Sequence, residues 1–315
     1  MRKITRRRAM RILAAAAGLP LLAVGVRAMV PGGHFFGWQG EVLGAASELT
    51  LWHWDEALAR RTILKVRHEV ERYERIFSLY RDDSEIVRLN RDGLLARPSA
   101  DLVQVIDASQ RLGTLSGGAF DISVQPLWRV YEAHFWSRSF VAPNIAARAH
   151  DVARTLVDYR RIQPGSARIA LPPGIAVTLN GIAQGFITDR IAELLRNEGF
   201  EHAMVDLGEF RALGNHPDGR AWRVATRGSE VALSDNALAV SSGSGTAFEP
   251  SGRFHHIFDP ANGASANTLR EVAVIAPRAM IADGLATTIC VVGEERGIEL
   301  LAHYPGARAV VTRAS

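Results

Sequence analysis

Helical and β patterns are grouped along this chain rather than alternating, and this grouping most constrains the fold. Apolar residues three or four positions apart predict helices over residues 63–77, 86–90, 102–112 and 186–197. Short β-rich runs follow at 203–207, 222–226, 237–241 and 272–275, and two helices (282–292, 295–302) and a strand (309–312) end the chain. This order predicts an α+β fold with antiparallel or mixed sheets and flanking helices, because a parallel sheet needs repeating βαβ units.

Size and composition predict a globular protein. The 315 residues are 47% hydrophobic and 22% charged, and this length allows one large domain or two. We find no repeat or low-complexity linker, so one compact domain over residues 41–315 is the prediction. Residues 29–40, rich in glycine and aromatics, are interpreted as a loose lead-in, and 132–149 as a surface excursion. Asp218-Gly219 predicts a hairpin turn between two β-rich runs.

The first 28 residues resemble an export signal. They contain a basic start, an apolar run over 12–26 and the small-residue cleavage pattern Val26-Arg27-Ala28. Residues 5–11, Thr-Arg-Arg-Arg-Ala-Met-Arg, resemble a twin-arginine signal. An ordinary secretory signal or an uncleaved anchor is the alternative, but the apolar run is short for a membrane span and contains Gly18 and Pro20. Export to the periplasm with cleavage is therefore predicted.

Charge and cysteine content limit the possible partners. Seven of the 37 Lys and Arg residues, and none of the 33 acidic ones, fall in residues 1–28, so the remaining chain carries a net charge of −3. The basic pI of 9.6 thus belongs to the leader, and we expect no nucleic-acid partner. Cys290 is the only cysteine. We expect neither a disulfide within the chain nor a lipid anchor, and we interpret Cys290 as a core residue.

Two segments contain groups suited to binding a metal ion or a phosphate. In residues 281–287, Ile-Ala-Asp-Gly-Leu-Ala-Thr, a helix would place Asp283 and Thr287 on one face. Residues 178–186, Thr-Leu-Asn-Gly-Ile-Ala-Gln-Gly-Phe, form a glycine-bracketed loop that leads into a helix, where backbone groups can meet a phosphate or a cation. Carboxylate, hydroxyl and carbonyl oxygens suit Mg²⁺. The alternative is that Asp283 caps its own helix while Thr287 packs inside.

Further motifs accompany these segments in a fixed order. They are Phe-Ser-Leu-Tyr-Arg (77–81), Ser-Glu (84–85), Leu-Asn (89–90), Gly-Ala-Phe-Asp (118–121), Pro-Leu-Trp (126–128), Val-Asp-Leu-Gly (205–208), Arg-Ala-Leu-Gly (211–214) and His-Ile-Phe-Asp-Pro (256–260). Together they resemble the ApbE family, the FAD:protein FMN transferases. The resemblance covers residue 40 to the C-terminus.

The resemblance implies a transferase that moves FMN from its substrate FAD to a threonine of an acceptor flavoprotein and releases AMP. The implied acceptor is an exported or membrane-anchored redox protein with a Ser/Thr-Gly-Ala-Thr-like motif. Mg²⁺ is the implied metal. Two alternatives are an FAD pyrophosphatase, in which water replaces the threonine, and a non-enzymatic FAD-binding or delivery protein.

The resemblance also implies the site residues. Metal ligands would be the Gly181 carbonyl, Asp283 and Thr287, and His256 would be the catalytic base. The residues implied to contact FAD are Tyr80, Ala119, Phe120, Asp121, Thr178, Gln184, His256 and Ile257. Each has a plainer alternative: Tyr80 as a half-buried residue at a helix end, Asp121 as a turn cap, and His256 as a histidine bonded to its own loop.

The 178–185 loop departs from the usual family pattern, Asp-Leu-Gly-Gly-Ile-Ala-Lys-Gly. Thr178 stands in place of Asp, Asn180 in place of Gly and Gln184 in place of Lys. Gln184 lacks the point charge that a lysine would direct at a pyrophosphate. We therefore predict a weaker hold on the phosphates, without loss of function.

Overall fold

An antiparallel sheet forms the centre of the protein. The computed structural model describes residues 32–136, 145–227 and 230–314. The strands in these ranges are β1 (His34–Val42), β2 (Ala45–His53), β3 (Leu94–Ala96), β4 (Arg168–Ala170), β5 (Ala203–Asp206), β6 (Phe210–Leu213), β7 (Trp222–Ala225), β8 (Glu230–Leu233), β9 (Ala237–Ser241), β10 (Leu269–Ala276) and β11 (Arg308–Arg313). The main sheet has the order β1-β2-β5-β6-β9-β10-β11, with antiparallel neighbours. β3–β4 and β7–β8 form two small antiparallel pairs.

Helices pack against this sheet or against one another. They are α1 (Glu56–Phe77), α2 (Glu85–Asp92), α3 (Ala100–Leu115), α4 (Gln125–Phe135), α5 (Ala147–Thr155), α6 (Ala183–Asn197), α7 (Ala279–Val292) and α8 (Glu294–Leu301). The residues that start α1 and α2, Asp55 and Ser84, each accept a hydrogen bond from a first-turn amide, which satisfies an otherwise unpaired donor. The predicted α+β fold is confirmed. No helix in the described ranges combines the length and apolarity needed to cross a bilayer.

The lead-in prediction was wrong for the described part of residues 29–40. From His34 onward this segment is β1, and it pairs with β2 along its whole length. Phe36 and Trp38 lie two apart and pack partly buried against the core. Residues 1–31, including the predicted export signal, lie outside the described residues, so the signal and the domain boundaries stay predictions.

The described parts of the predicted surface excursion are exposed or half-exposed, as expected, and they include helix: α4 extends to Phe135 and α5 begins at Ala147, while 137–144 lie outside the described residues. The hairpin expectation needs correction. The backbone does turn at Asp218-Gly219, where the Gly219 amide donates to the His216 carbonyl (2.8 Å). However, the flanking strands β6 and β7 belong to different sheets, so this turn does not close a hairpin.

The core lies between the main sheet and helices α1, α6 and α7. Its largest fully buried side chains include Tyr73, Phe77 and Phe186, whose rings contact one another at centroid distances of 5.7–6.2 Å. Cys290 is buried in the same core, as predicted, and burial raises the pKa of its thiol to about 12. A separate apolar cluster, in which Tyr131 of α4 contacts Phe248 and Phe258, joins that helix to the 246–258 segment.

Candidate active site

Helices α6 and α7 cap each other. The buried carboxylate of Asp189, in α6, accepts hydrogen bonds from the first two amides of α7, those of Ala279 (2.9 Å) and Met280 (3.1 Å). In return Asp283, in α7, accepts from the amide of Gly185 in the first turn of α6 (3.0 Å). Each helix start therefore obtains its acceptor from the other helix. This fixes the position of Asp283 relative to the loop that precedes α6.

Gly185 allows the two helices to approach closely. A Cβ atom at this position would lie 2.3 Å from the carbonyl oxygen of Ala279, which no side chain can tolerate. The glycine that brackets the 178–185 loop is thus required by helix packing as well as by the loop.

Asp283 does not cap its own helix, so that alternative is wrong. It is the fifth residue of α7 and only 2% exposed. Burial raises the pKa of its carboxyl to about 7, although the Gly185 hydrogen bond opposes the shift. A bound cation would offset the cost of burying this charge. The position of Asp283 therefore fits a metal ligand.

Thr287 and Gly181 lie next to each other, one turn of α7 beyond Asp283. A Cβ atom on Gly181 would lie 3.1 Å from Thr287 Oγ1, so any side chain at position 181 would crowd that hydroxyl. The three predicted ligands are therefore brought together. They offer a carboxylate, a hydroxyl and a backbone carbonyl, an all-oxygen set that fits Mg²⁺. The described residues contain no group of three or more His, Cys, Asp and Glu suited to a metal, so a metal here would depend on one carboxylate together with two neutral oxygens.

Glu209 is a buried acid that the sequence prediction missed. It lies in the turn between β5 and β6, is 6% exposed and accepts from the Val240 amide (3.3 Å). Burial, together with the carboxylates of Asp283 and Asp206, raises its pKa well above the usual range. The sequence did indicate that Glu209 would be buried, because Val205, Leu207 and Glu209 lie two residues apart, as the inward-facing residues of a strand do.

The 178–185 loop is tied to the segments that carry other predicted contacts. The side chain of Asn90 bonds both the amide (2.6 Å) and the carbonyl (2.7 Å) of Val177. The next amide, of Thr178, donates to the Ile122 carbonyl (2.8 Å). The buried ring of Phe120 lies against Gly181, 3.5 Å from where its Cβ would be. The 119–122 segment therefore borders the candidate metal site.

Asp121 caps a turn, as its alternative proposed. One oxygen accepts from the amide (2.8 Å) and hydroxyl (2.6 Å) of Ser123, and the other accepts from the Tyr159 amide (3.0 Å). Burial raises the pKa of Asp121 and these hydrogen bonds oppose the shift. Its contact with FAD stays a prediction, as does that of the half-buried Ala119.

Tyr80 is 40% exposed and lies at the edge of the same region. Its ring rests on the β1–β2 turn, where a Cβ on Gly44 would lie 3.1 Å from the ring. Burial raises the pKa of the Tyr80 hydroxyl, the carboxylates of Glu132 and Glu41 add to the rise, and the neighbouring Asn180 side chain opposes it. Tyr80 is thus placed beside the 178–185 loop with part of its ring open to a ligand.

Gln184 directs its side chain toward the β5–β6 turn. Its amide nitrogen lies 2.4 Å from where a Cβ on Gly208 would be, and Gly208 has a φ of +98°. The positive φ favours glycine at this position, whereas the Gln184 amide is the end of a flexible side chain and could move aside. Along the 178–185 loop, Thr178 precedes Gly181 and Gln184 follows it.

The two adjacent histidines have different environments. The buried His255 accepts from the Ile257 amide at Nδ1 (3.3 Å) and serves its own loop. His256 is half-buried, and its Nδ1 lies 3.2 Å from the Thr246 carbonyl. A carbonyl only accepts, so Nδ1 carries the proton and Nε2 keeps a lone pair. Burial, reinforced by His255, lowers the pKa of His256 to about 4, so its ring is neutral near pH 7.

The residues that follow His256 hold the loop in place. Ile257 is buried in the main core, and its carbonyl accepts from the Ala266 amide (2.9 Å). Asp259 bonds the Ala261 amide (2.9 Å) and the Asn262 side chain (2.7 Å), so it braces the turn. In this segment, Nε2 of His256 is the group left free to accept a proton from a substrate.

Known proteins are similar to this chain in sequence and in fold. The family model described as the ApbE family matches residues 43–311. An FAD:protein FMN transferase of Vibrio cholerae is 33% identical over 236 residues, 70% of each chain, and one of Haemophilus influenzae is 31% identical over 242 residues, 71% of this chain and 70% of the relative. The solved structure of the flavin transferase ApbE from Vibrio cholerae superposes with a TM-score of 0.77 at 25% identity, covering 90% of this chain and 94% of that one. The apo form of the Pseudomonas stutzeri flavinyl transferase ApbE shares the fold, with a TM-score of 0.77 at 24% identity over 90% of this chain and 92% of that one. The chain belongs to the ApbE family.

Proposed function

We propose that this chain is an Mg²⁺-dependent FAD:protein FMN transferase, which joins FMN from FAD to a threonine hydroxyl of an acceptor protein and releases AMP. The names of the relatives at 31–33% identity support the reaction type. The observation that carries the proposal is the buried Asp283, grouped with Thr287 and Gly181 at the loop that leads into α6.

The proposed reaction exchanges one bond to phosphorus for another. The threonine oxygen bonds to the phosphorus of the FMN half of FAD, and the bond from that phosphorus to the bridging oxygen breaks. The bridging oxygen leaves with AMP. The neutral His256 accepts the threonine proton at Nε2, the nitrogen that its bond to Thr246 leaves free.

The remaining residues bind and orient. The Gly181 carbonyl, Asp283 and Thr287 would hold Mg²⁺, which would supply positive charge to neutralise the pyrophosphate. Tyr80 would stack on the flavin, and the loop amides before α6 would face the phosphates. Orientation of FAD and threonine would then lower the barrier without a covalent enzyme intermediate.

One assay separates the proposal from its alternatives. Purified protein is incubated with FAD and Mg²⁺, with and without an acceptor domain carrying a Ser/Thr-Gly-Ala-Thr-like motif. AMP release that requires the acceptor, together with a flavin-sized mass increase on the acceptor, supports the transferase. AMP release without an acceptor would indicate a pyrophosphatase, and no AMP at all would indicate a binding or delivery protein.

We also propose that the protein is exported through a twin-arginine signal and acts in the periplasm on exported or membrane-anchored acceptors. The support is the basic start, the apolar run and the small-residue pattern at 26–28. N-terminal sequencing of the protein recovered from the periplasm would test both export and the cleavage position.

Tyr80→Ala is expected to weaken FAD binding by about 1–3 kcal/mol, the scale of one lost aromatic stack. Tyr80→Phe is the matched control and should lose much less, because it keeps the ring. Flavin fluorescence titration measures both affinities. Equal losses in the two variants would show that the hydroxyl, beside Asn180, makes the contact instead.

Gln184→Lys is expected to tighten FAD binding or raise turnover, by on the order of 1 kcal/mol for a partly solvated charge pair. The gain should shrink as salt rises. Gln184→Met is the uncharged control of similar length. Asp206 accepts from the Gly208 amide in the turn that Gln184 faces, so it is a competing partner for a lysine at position 184. Burial, with a contribution from Glu48, raises the pKa of Asp206 to about 7. Weaker binding at every salt concentration would show that position 184 does not face the phosphates.

A further inference from the structure

The hydroxyl of Thr287 has a second close neighbour besides Gly181. Ser241, the last residue of β9, places its Oγ 3.3 Å from Thr287 Oγ1. Ser241 is not among the residues for which the sequence predicts a role. Its hydroxyl is half-buried and lies between the sheet and the candidate metal site.

Ser241 is held rigidly in this position. It pairs with Val272 in the β9–β10 ladder, and its carbonyl accepts from the Cys290 thiol (3.6 Å). Thr287 and Cys290 are three residues apart, on one face of α7. The same face of α7 therefore contacts both the backbone carbonyl and the side-chain hydroxyl of Ser241.

A hydroxyl that binds a cation must direct its hydrogen elsewhere. Its lone pair points at the cation, so its proton needs an acceptor on the other side. Thr287 Oγ1 has Gly181 on one side and Ser241 Oγ within hydrogen-bond distance on another. Ser241 is thus placed to accept the proton and to aim the lone pair.

We propose that Ser241 is a positioning residue for the metal site: its hydroxyl orients the Thr287 hydroxyl toward the cation. The proposal rests on the metal site of the proposed function. Groups that orient metal ligands typically change metal affinity or activity about 10–100-fold when removed. Ser241 acts through Thr287 and does not itself touch FAD or the acceptor.

Metal binding is the direct test. Mn²⁺ is titrated into the purified protein without FAD, and free Mn²⁺ is measured by electron paramagnetic resonance. We expect Ser241→Ala to raise the Mn²⁺ dissociation constant about tenfold or more, and Ser241→Thr, which keeps a hydroxyl, to stay close to wild type. Ser109→Ala is the control, because Ser109 is a buried serine whose hydroxyl bonds the Val105 carbonyl within α3.

The outcomes distinguish this proposal from the proposed function. Wild-type Mn²⁺ affinity in Ser241→Ala, equal losses in Ser241→Ala and Ser109→Ala, failure of Ser241→Thr to restore binding, or no Mn²⁺ binding by wild type would each overturn the role of Ser241. AMP release is measured in parallel on the wild type. If no AMP appears but the serine series behaves as expected, the positioning role stands and the transferase proposal fails.

Discussion

Asp283→Asn is expected to abolish acceptor-dependent AMP release and metal binding while the fold stays intact. Asparagine keeps an oxygen that can accept the Gly185 amide, so the contact between the two helices survives. It removes the one carboxylate of the predicted ligand set, and the cation is left with neutral ligands. AMP release, Mn²⁺ titration and thermal unfolding measure the three effects.

Asp283→Ala is the informative companion to this variant. It should lose activity equally, and it should also lose about 1 kcal/mol of stability, because a first-turn amide of α6 loses its acceptor. Asp283→Asn avoids that loss and also removes a buried charge beside Glu209. An Asp283→Asn protein with wild-type turnover at low Mg²⁺ would refute the metal assignment.

His256→Gln is expected to lower turnover about 10²–10⁴-fold, the usual contribution of a general base. The pKa of about 4 keeps His256 neutral at both pH 6.5 and pH 8. The fold-loss should therefore be the same at these two values. FAD affinity should change far less than turnover, because the missing group acts on the acceptor proton.

His255→Gln provides the control at the neighbouring position. His255 bonds the Ile257 amide within its own loop, so its replacement should lower stability more than turnover at saturating FAD. A similar loss of turnover in both variants, at full stability, would mean that the whole loop, and not the His256 imidazole, supports the reaction.

Local sequence patterns predicted much of the fold and of the candidate site. The spacing of Asp283 and Thr287 predicted one helix face, and α7 confirms it. The period of the 63–77 segment predicted the buried face of α1. The first strand was missed because Gly37 and Gly40 resemble loop residues, whereas pairing with β2 and packing of Trp38 decide the outcome.

Contacts between distant segments could not be read from local patterns. Nothing near Asp189 in the sequence indicates that it caps a helix some 90 residues later, and nothing near Gly185 indicates that Asp283 receives its amide. Ser241 and Glu209 reach the site through the ladders of the main sheet, and strand order is a property of the whole chain. The candidate ligands were predictable from the sequence, but the residues that contact them from distant segments were not.

The mutual capping of α6 and α7 has a consequence for hydrogen exchange. Amides in the first turn of a helix normally exchange quickly, since they lack acceptors within the helix. Here the amides of Gly185, Ala279 and Met280 bond buried carboxylates of the opposite helix. They should exchange slowly and at a common rate, because one separation of the helices exposes all three. The candidate metal site, which depends on the relative position of these two helices, would then open and close as a unit.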